Sequence, residues 1–95
     1  MPQGRRPAII VQNDNYNKSR ILTTVIVPLT TNLLLSEHKD NIFLDKTLTK
    51  LSKDSVALIP QIGVVDKSCL IEKVSKLSAS KMIEISFAIK NFLDL

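Results

Sequence analysis

Glycine is scarce in this sequence, with Gly4 and Gly63 the only two among 95 residues. A loop that cradles phosphates with backbone N–H groups needs several closely spaced glycines, so nucleotide binding of that kind is excluded. Histidine and cysteine occur once each, as His38 and Cys69. The clustered Cys, His and carboxylates of a zinc site are therefore missing, and an intrachain disulfide is impossible. His38 stands between Glu37 and Lys39 and reads as an exposed side chain rather than a general base. Cys69 has no His or Asn pattern near it and reads as a small apolar residue rather than a nucleophile. Long apolar runs are lacking too: residues 23–29 and 55–62 are broken by Thr, Pro or Gln, well short of the ~20 residues of a membrane span. No basic segment followed by an apolar one opens the chain, so no secretion signal is expected. These absences together point to a soluble chain in a reducing cytoplasm, with no membrane and no cofactor.

What is present fits one folded domain over residues 1–95, because a chain of this length buries a single modest core. Hydrophobic residues make up 44% and charged ones 23%, which is ordinary for a globular domain. The net charge is +4, and Arg5, Arg6, Lys18 and Arg20 crowd the first fifth of the chain. That crowding predicts either a docking area for a polyanion or a plain solvated surface.

Residues 8–11, a β-branched run after Pro7, predict a buried strand. The Asn/Asp-rich residues 13–17 predict a loop. Residues 23–29 predict a second strand, with Pro28 favouring its end or a sheet edge. Residues 30–40 read as a partly packed loop, 41–44 as a short strand and 48–54 as a polar connection. Residues 56–62 predict a third long extended run interrupted by Pro60, with Gly63 marking a bulge or bend before Val64 and Val65. Residues 68–77 fit a helix face or a strand. Ser78 is a candidate N-cap, and Met82, Ile85, Ile89, Phe92 and Leu93 recur at helical spacing, so a C-terminal amphipathic helix is expected. The fold class is mainly β (α+β), a small barrel or curled sheet flanked by one helix.

Three segments read together are more specific than any one: residues 4–14 (GRRPAIIVQND), 25–32 (VIVPLTTN) and 54–62 (DSVALIPQI). With 65–68 (VDKS), 76–78 (KLS) and the closing helix, they resemble the MazF/PemK toxin family in the right order along the chain. The resemblance implies an SH3-like barrel with a C-terminal helix. It also implies a homodimer and a sequence-selective, metal-independent endoribonuclease paired with a small antitoxin. The substrate would be single-stranded RNA, cut by its own 2′-OH, and DNA would be contacted only through the complex with the antitoxin. Carried over by position, Arg6 and Thr30 are the catalytic pair, and Arg5, Thr31, Asn32 and Gln61 are RNA-binding candidates. An always-charged, planar guanidinium suits Arg6 to the charge that develops on phosphoryl oxygens. Thr30 is expected to hydrogen-bond the scissile phosphate or orient the 2′-OH, and Thr31 to support the turn.

The sequence also departs from the family pattern. Relatives carry an opening strand ahead of the Arg-Pro element, so the expected barrel is one strand short. Gly63 and Cys69 stand where relatives often have basic residues, which predicts weaker RNA affinity. The alternative reading is therefore a truncated, catalytically weak relative that dimerises or holds an antitoxin without cutting RNA. Residues 30–40 read first as a solvated loop, with Asn32 and Lys39 as base contacts the alternative.

Overall fold

A computed structural model describes residues 6–95, so Gly4 and Arg5 lie outside the described residues. Five strands follow one another as β1 (Ala8–Ile10), β2 (Thr23–Thr30), β3 (Ile42–Leu44), β4 (Ser55–Ala57) and β5 (Gly63–Asp66). They form one antiparallel sheet in the order β1-β2-β4-β3, with β5 also on β2. β2 is the organising strand, and its start, Thr23-Thr24-Val25-Ile26-Val27, suits a pleated surface. One edge of β2 takes β1, and the other takes β5 along Thr23–Ile26 and β4 at Leu29 and Thr30. Among the described residues β1 and β3, the two ends of the path, do not pair, so the curled sheet stays open. The mainly β class with a C-terminal helix is the expected one.

Pro28 does not end β2, contrary to the expectation. The strand runs through it to Thr30 because the missing donor falls where no partner needs it. The Pro28 carbonyl accepts from Leu58 N–H at 2.9 Å, so its nitrogen points to the gap between β4 and β5. The long run expected over residues 56–62 is likewise divided. β4 stops at Ala57, and Pro60 lies in the first turn of a 3₁₀ segment, Ile59–Gln61, that carries the chain along the edge of β2 to β5. Gly63 forms no bulge: it pairs with Ile26 in a regular ladder. A Cβ there would meet only the Gln61 carbonyl at 3.7 Å.

Three helices complete the chain. α1 (Asp14–Asn17) is a single turn where a loop was expected, because Asn13 Oδ1 accepts from Asn15 N–H at 2.7 Å and caps it. α2 (Lys46–Thr49) is a similar turn, capped by Asp45. α3 (Ala79–Leu93) begins at Ser78, whose Oγ accepts from Lys81 N–H at 3.2 Å, as the sequence predicts. Residues 30–40 contain a 3₁₀ turn, Leu33–Glu37, which packs on β3 and β4. After a further 3₁₀ turn, Lys67–Cys69, residues 70–78 form neither the helix nor the strand considered for them.

The core joins Ile9, Val27, Leu29, Leu44, Ala57, Ile59 and Ile85. Burying each Ile, Val or Leu side chain of this set contributes about 1.5–3 kcal/mol. β1 is half-buried rather than buried, since Ile9 faces the core while Ala8 and Ile10 face out. α3 docks through Ile85, with Met82 and Ile89 packed beside it, whereas Phe92 and Leu93 remain exposed.

Candidate active site

The register of β1 against β2 decides whether Arg6 and Thr30 can act together. Ala8 is opposite Pro28, Ile9 opposite Val27 and Ile10 opposite Ile26. Leu29 N–H donates to the Pro7 carbonyl at 3.1 Å, so the pairing continues past the strand proper. Continued one step beyond the paired residues, this register puts Arg6 opposite Thr30 by extrapolation. Val11 N–H donates to the Val25 carbonyl at 2.9 Å, which makes 7/29 and 11/25 hydrogen-bonded rungs and 6/30 a non-bonded one. Residues on such a rung sit about 4.5 Å apart at Cα, with their side chains close and on one face.

Ile9, Val27, Leu29 and Ala57 point into the core, so alternation puts Arg6, Ala8, Pro28 and Thr30 on the other side. Val56, opposite Thr30, shares that side but is itself buried, so the face is open only toward β1. Arg6 is exposed and has no hydrogen-bond or ion-pair partner among the described residues, which leaves its five donors available. Thr30 is half-buried, and its Oγ1 accepts from Asn32 N–H at 3.2 Å. The hydroxyl proton has no acceptor among the described residues and stays free to be donated.

The remaining candidates have different surroundings. Thr31 is exposed, and the hydroxyl that braces the turn is that of Thr30, not of Thr31 as expected. Asn32 caps the 3₁₀ turn after it, its Oδ1 accepting from Leu34 N–H at 3.3 Å. Its amide N–H groups remain free. Gln61 ends the 3₁₀ segment after β4 and is exposed, with its side chain lining a groove beside His38. Lys39 lines a different groove, against α3. Arg5 is outside the described residues.

Among the described residues, the cations of the first fifth of the chain do not gather into one patch. Arg6 stands at the Thr30 end of β2, whereas Lys18 and Arg20 lead into its Thr23 end, about 24 Å away along eight residues of strand. The loop that carries them is fixed by a network that sequence reasoning missed. Gln12 Nε2 donates to Asn17 Oδ1 at 2.9 Å, Thr24 Oγ1 donates to the same oxygen at 2.8 Å, and Asn17 Nδ2 returns to the Gln12 carbonyl at 3.0 Å. Lys67 Nζ closes the loop on the carbonyls of Tyr16, Asn17 and Ser19 at 3.1, 2.7 and 3.3 Å. The Asn-rich composition signalled a turn, but nothing local in the sequence joins it to a lysine some fifty residues on.

Cys69 is exposed rather than packed as a small apolar residue. No three His, Cys, Asp or Glu side chains converge among the described residues. No helix among them is long and apolar enough to cross a membrane.

Comparison with known proteins bears directly on this arrangement. Residues 1–93 match the family described as PemK-like, MazF-like toxin of type II toxin-antitoxin system. The chain is 36% identical over 94 residues to Endoribonuclease MazF6 of Mycobacterium tuberculosis (strain ATCC 25618 / H37Rv), covering 99% of this chain and 82% of that one. It is 39% identical over 92 residues to Endoribonuclease MazF of Staphylococcus epidermidis, covering 97% and 76%. In fold it is similar to the solved Mycobacterium tuberculosis toxin MazF-mt6, with a TM-score of 0.82 at 21% identity over 95% of this chain and 87% of that one.

Proposed function

The chain belongs to the PemK-like, MazF-like toxins of type II toxin–antitoxin systems, and from that premise we propose that it is an endoribonuclease toxin acting on single-stranded RNA in the cytoplasm. What supports this reading is the register of β1 on β2, which when extended by one rung brings the unpartnered Arg6 guanidinium and the Thr30 hydroxyl to the same face.

The chemistry we infer is transesterification. The 2′-oxygen of the RNA attacks the adjacent phosphorus and loses its proton, the bond from phosphorus to the 5′-oxygen breaks, and that oxygen takes up a proton. The products are a 2′,3′-cyclic phosphate and a 5′-hydroxyl. Negative charge builds on the phosphoryl oxygens as the bonds exchange, and Arg6 is suited to bind it with two parallel N–H donors. As a proton donor Arg6 is poorly suited, since a guanidinium gives up a proton only at great cost. Thr30, held by its bond from Asn32 N–H, is suited to donate to a phosphoryl oxygen. Thr31, Asn32, Arg5 and Gln61 are proposed to contact the RNA around that centre. No step uses a resident metal or cofactor. A cognate antitoxin is the proposed protein partner, a segment of it lying over the same face, and DNA is reached only through that complex. The proposed assembly is a homodimer.

The test is RNA cleavage in EDTA by the wild type and by Arg6→Ala, with fragment ends identified. The expected result is cutting that leaves 2′,3′-cyclic phosphates and falls about 10²–10³-fold in the variant. Cleavage that requires magnesium, or an unaffected Arg6→Ala, overturns the reading.

A further inference from the structure

An open groove of about 230 Å³ lies between the 3₁₀ turn Leu33–Glu37 and the 3₁₀ segment Ile59–Gln61, lined by Leu35, His38, Asp40, Leu58, Pro60 and Gln61. We propose that this groove binds one unpaired nucleobase of the RNA, with the His38 ring as its stacking surface and the Gln61 amide reading its edge. The identity of the occupant rests on the RNA-cleaving reading above; the shape and chemistry of the groove do not.

Position is the first support. Leu58, in the groove wall, donates its N–H to the Pro28 carbonyl at 2.9 Å. Pro28 is two residues before Thr30, about 7 Å along β2. Alternation along β2 puts Pro28 and Thr30 on one face, and the hydrogen bond from Leu58 to Pro28 ties the groove wall to β2 within one rung of the proposed cleavage centre. Segment 30–38 links the two, since Thr30 begins it and His38 follows its 3₁₀ turn.

Chemistry is the second support. Single-stranded RNA is read by stacking splayed bases on aromatic side chains, histidine included, and by hydrogen bonds to their edges. This groove offers the His38 imidazole and the flat Pro60 ring, apolar surface from Leu35 and Leu58, and an amide that both donates and accepts. Asp40 adds a carboxylate that repels a phosphate but accepts from an exocyclic amine, which favours a base over the backbone. Asn41 belongs to the same wall, and its Nδ2 donates to the Leu35 carbonyl at 2.9 Å, holding the turn in place. Its Oδ1 is buried with no hydrogen-bond partner among the described residues.

His38 is the only histidine of the chain, so its ring protons are a unique reporter in proton NMR. The protein is titrated at fixed pH with the 5′-monophosphates of adenosine, cytidine, guanosine and uridine, and with ribose 5-phosphate as the baseless control. The expected result is a saturable ring-current displacement of the His38 signals by at least one nucleotide and none by ribose 5-phosphate. Gln61→Ala is expected to weaken that nucleotide about tenfold. An equal displacement by ribose 5-phosphate identifies a phosphate site and overturns the proposal, as does the absence of displacement by all four nucleotides. A second arm profiles cleavage of a random-sequence RNA. Gln61→Ala is expected to flatten the preference at one position near the cut about tenfold, and unchanged preference at every position overturns the proposal. The NMR arm needs no cleavage, so failure of the groove and failure of the nuclease reading are told apart.

Discussion

Arg6 is one of several exposed cations, and what distinguishes it is the residue across the strand pair. The register that brings Thr30 opposite depends on six residues of β1 and β2 and on a hydrogen bond to Pro7, none of which is charged. Thr30 adds a requirement of its own, because one hydroxyl both accepts from Asn32 N–H and keeps a proton to donate. Thr30→Val removes both capacities while keeping the shape; Thr30→Ser keeps both. In EDTA, kcat/KM is expected to fall about 10²-fold for Val and only severalfold for Ser. Stability should drop by about 1 kcal/mol for Val, checked by thermal melting, so a large loss of folding in Val would place Thr30 among structural residues instead. Arg6 and Thr30 are singled out as candidates by the motifs that carry the family resemblance. Their adjacency was not legible in the sequence, since register is a property of two strands. Nor was the separation of Arg6 from Lys18 and Arg20, because nearness in sequence says nothing about which end of β2 each residue reaches.

Elements were legible where one physical cause dominates. β2 has five residues of strand preference in succession, and α3 has an N-cap and a periodic stripe, so both appear as expected. Boundaries set by tertiary partners were not legible: Pro28 is tolerated inside β2 because a gap in the sheet receives it, and Pro60 turns the chain because β4 and β5 share one edge of β2. Single helical turns escaped because a capping side chain, not a hydrophobic period, makes them. α2 is one of these, and its cap is sensitive to pH. The Asp45 carboxyl is held below its ordinary pKa by the backbone N–H of Thr47 at 2.7 Å, then by the Thr47 hydroxyl at 2.8 Å, with Lys46 adding to them. A depressed folded-state pKa gives stability that is present above the unfolded value and lost as pH falls through the folded one. Asp45→Asn keeps an accepting cap without the charge. The melting temperature of the wild type is therefore expected to exceed that of Asp45→Asn near neutral pH. The gap should close once pH drops below the usual carboxylate range of about 4. Melting curves measured from pH 7 downward check this, and a gap that persists in acid would mean that the charge is not its source.

The surface of the whole molecule is large for its mass. A closed monomer of 10.6 kDa is expected to expose roughly 5,500 Å², whereas this chain exposes 7058 Å². Much of what is exposed is apolar and spread over several elements: Leu22, Val64 and Ile71 on and around the β5 side, Ile83 and Phe87 on α3. The last two show why periodicity alone misjudges α3, since its outward side carries large hydrophobic residues as well as its core stripe. A difference of this size is comparable to what one partner loses in a stable association, about 800 Å² or more. Burial between identical copies is the simplest way to cover such a surface, and it agrees with the homodimer proposed above. The chain is therefore expected to sediment at twice its monomer mass, with a melting temperature that rises with protein concentration. Sedimentation equilibrium over a hundredfold concentration range tests both the mass and its reversibility. A monomer at all concentrations, with a melting temperature independent of concentration, would remove the dimer and leave the exposed apolar residues to the antitoxin.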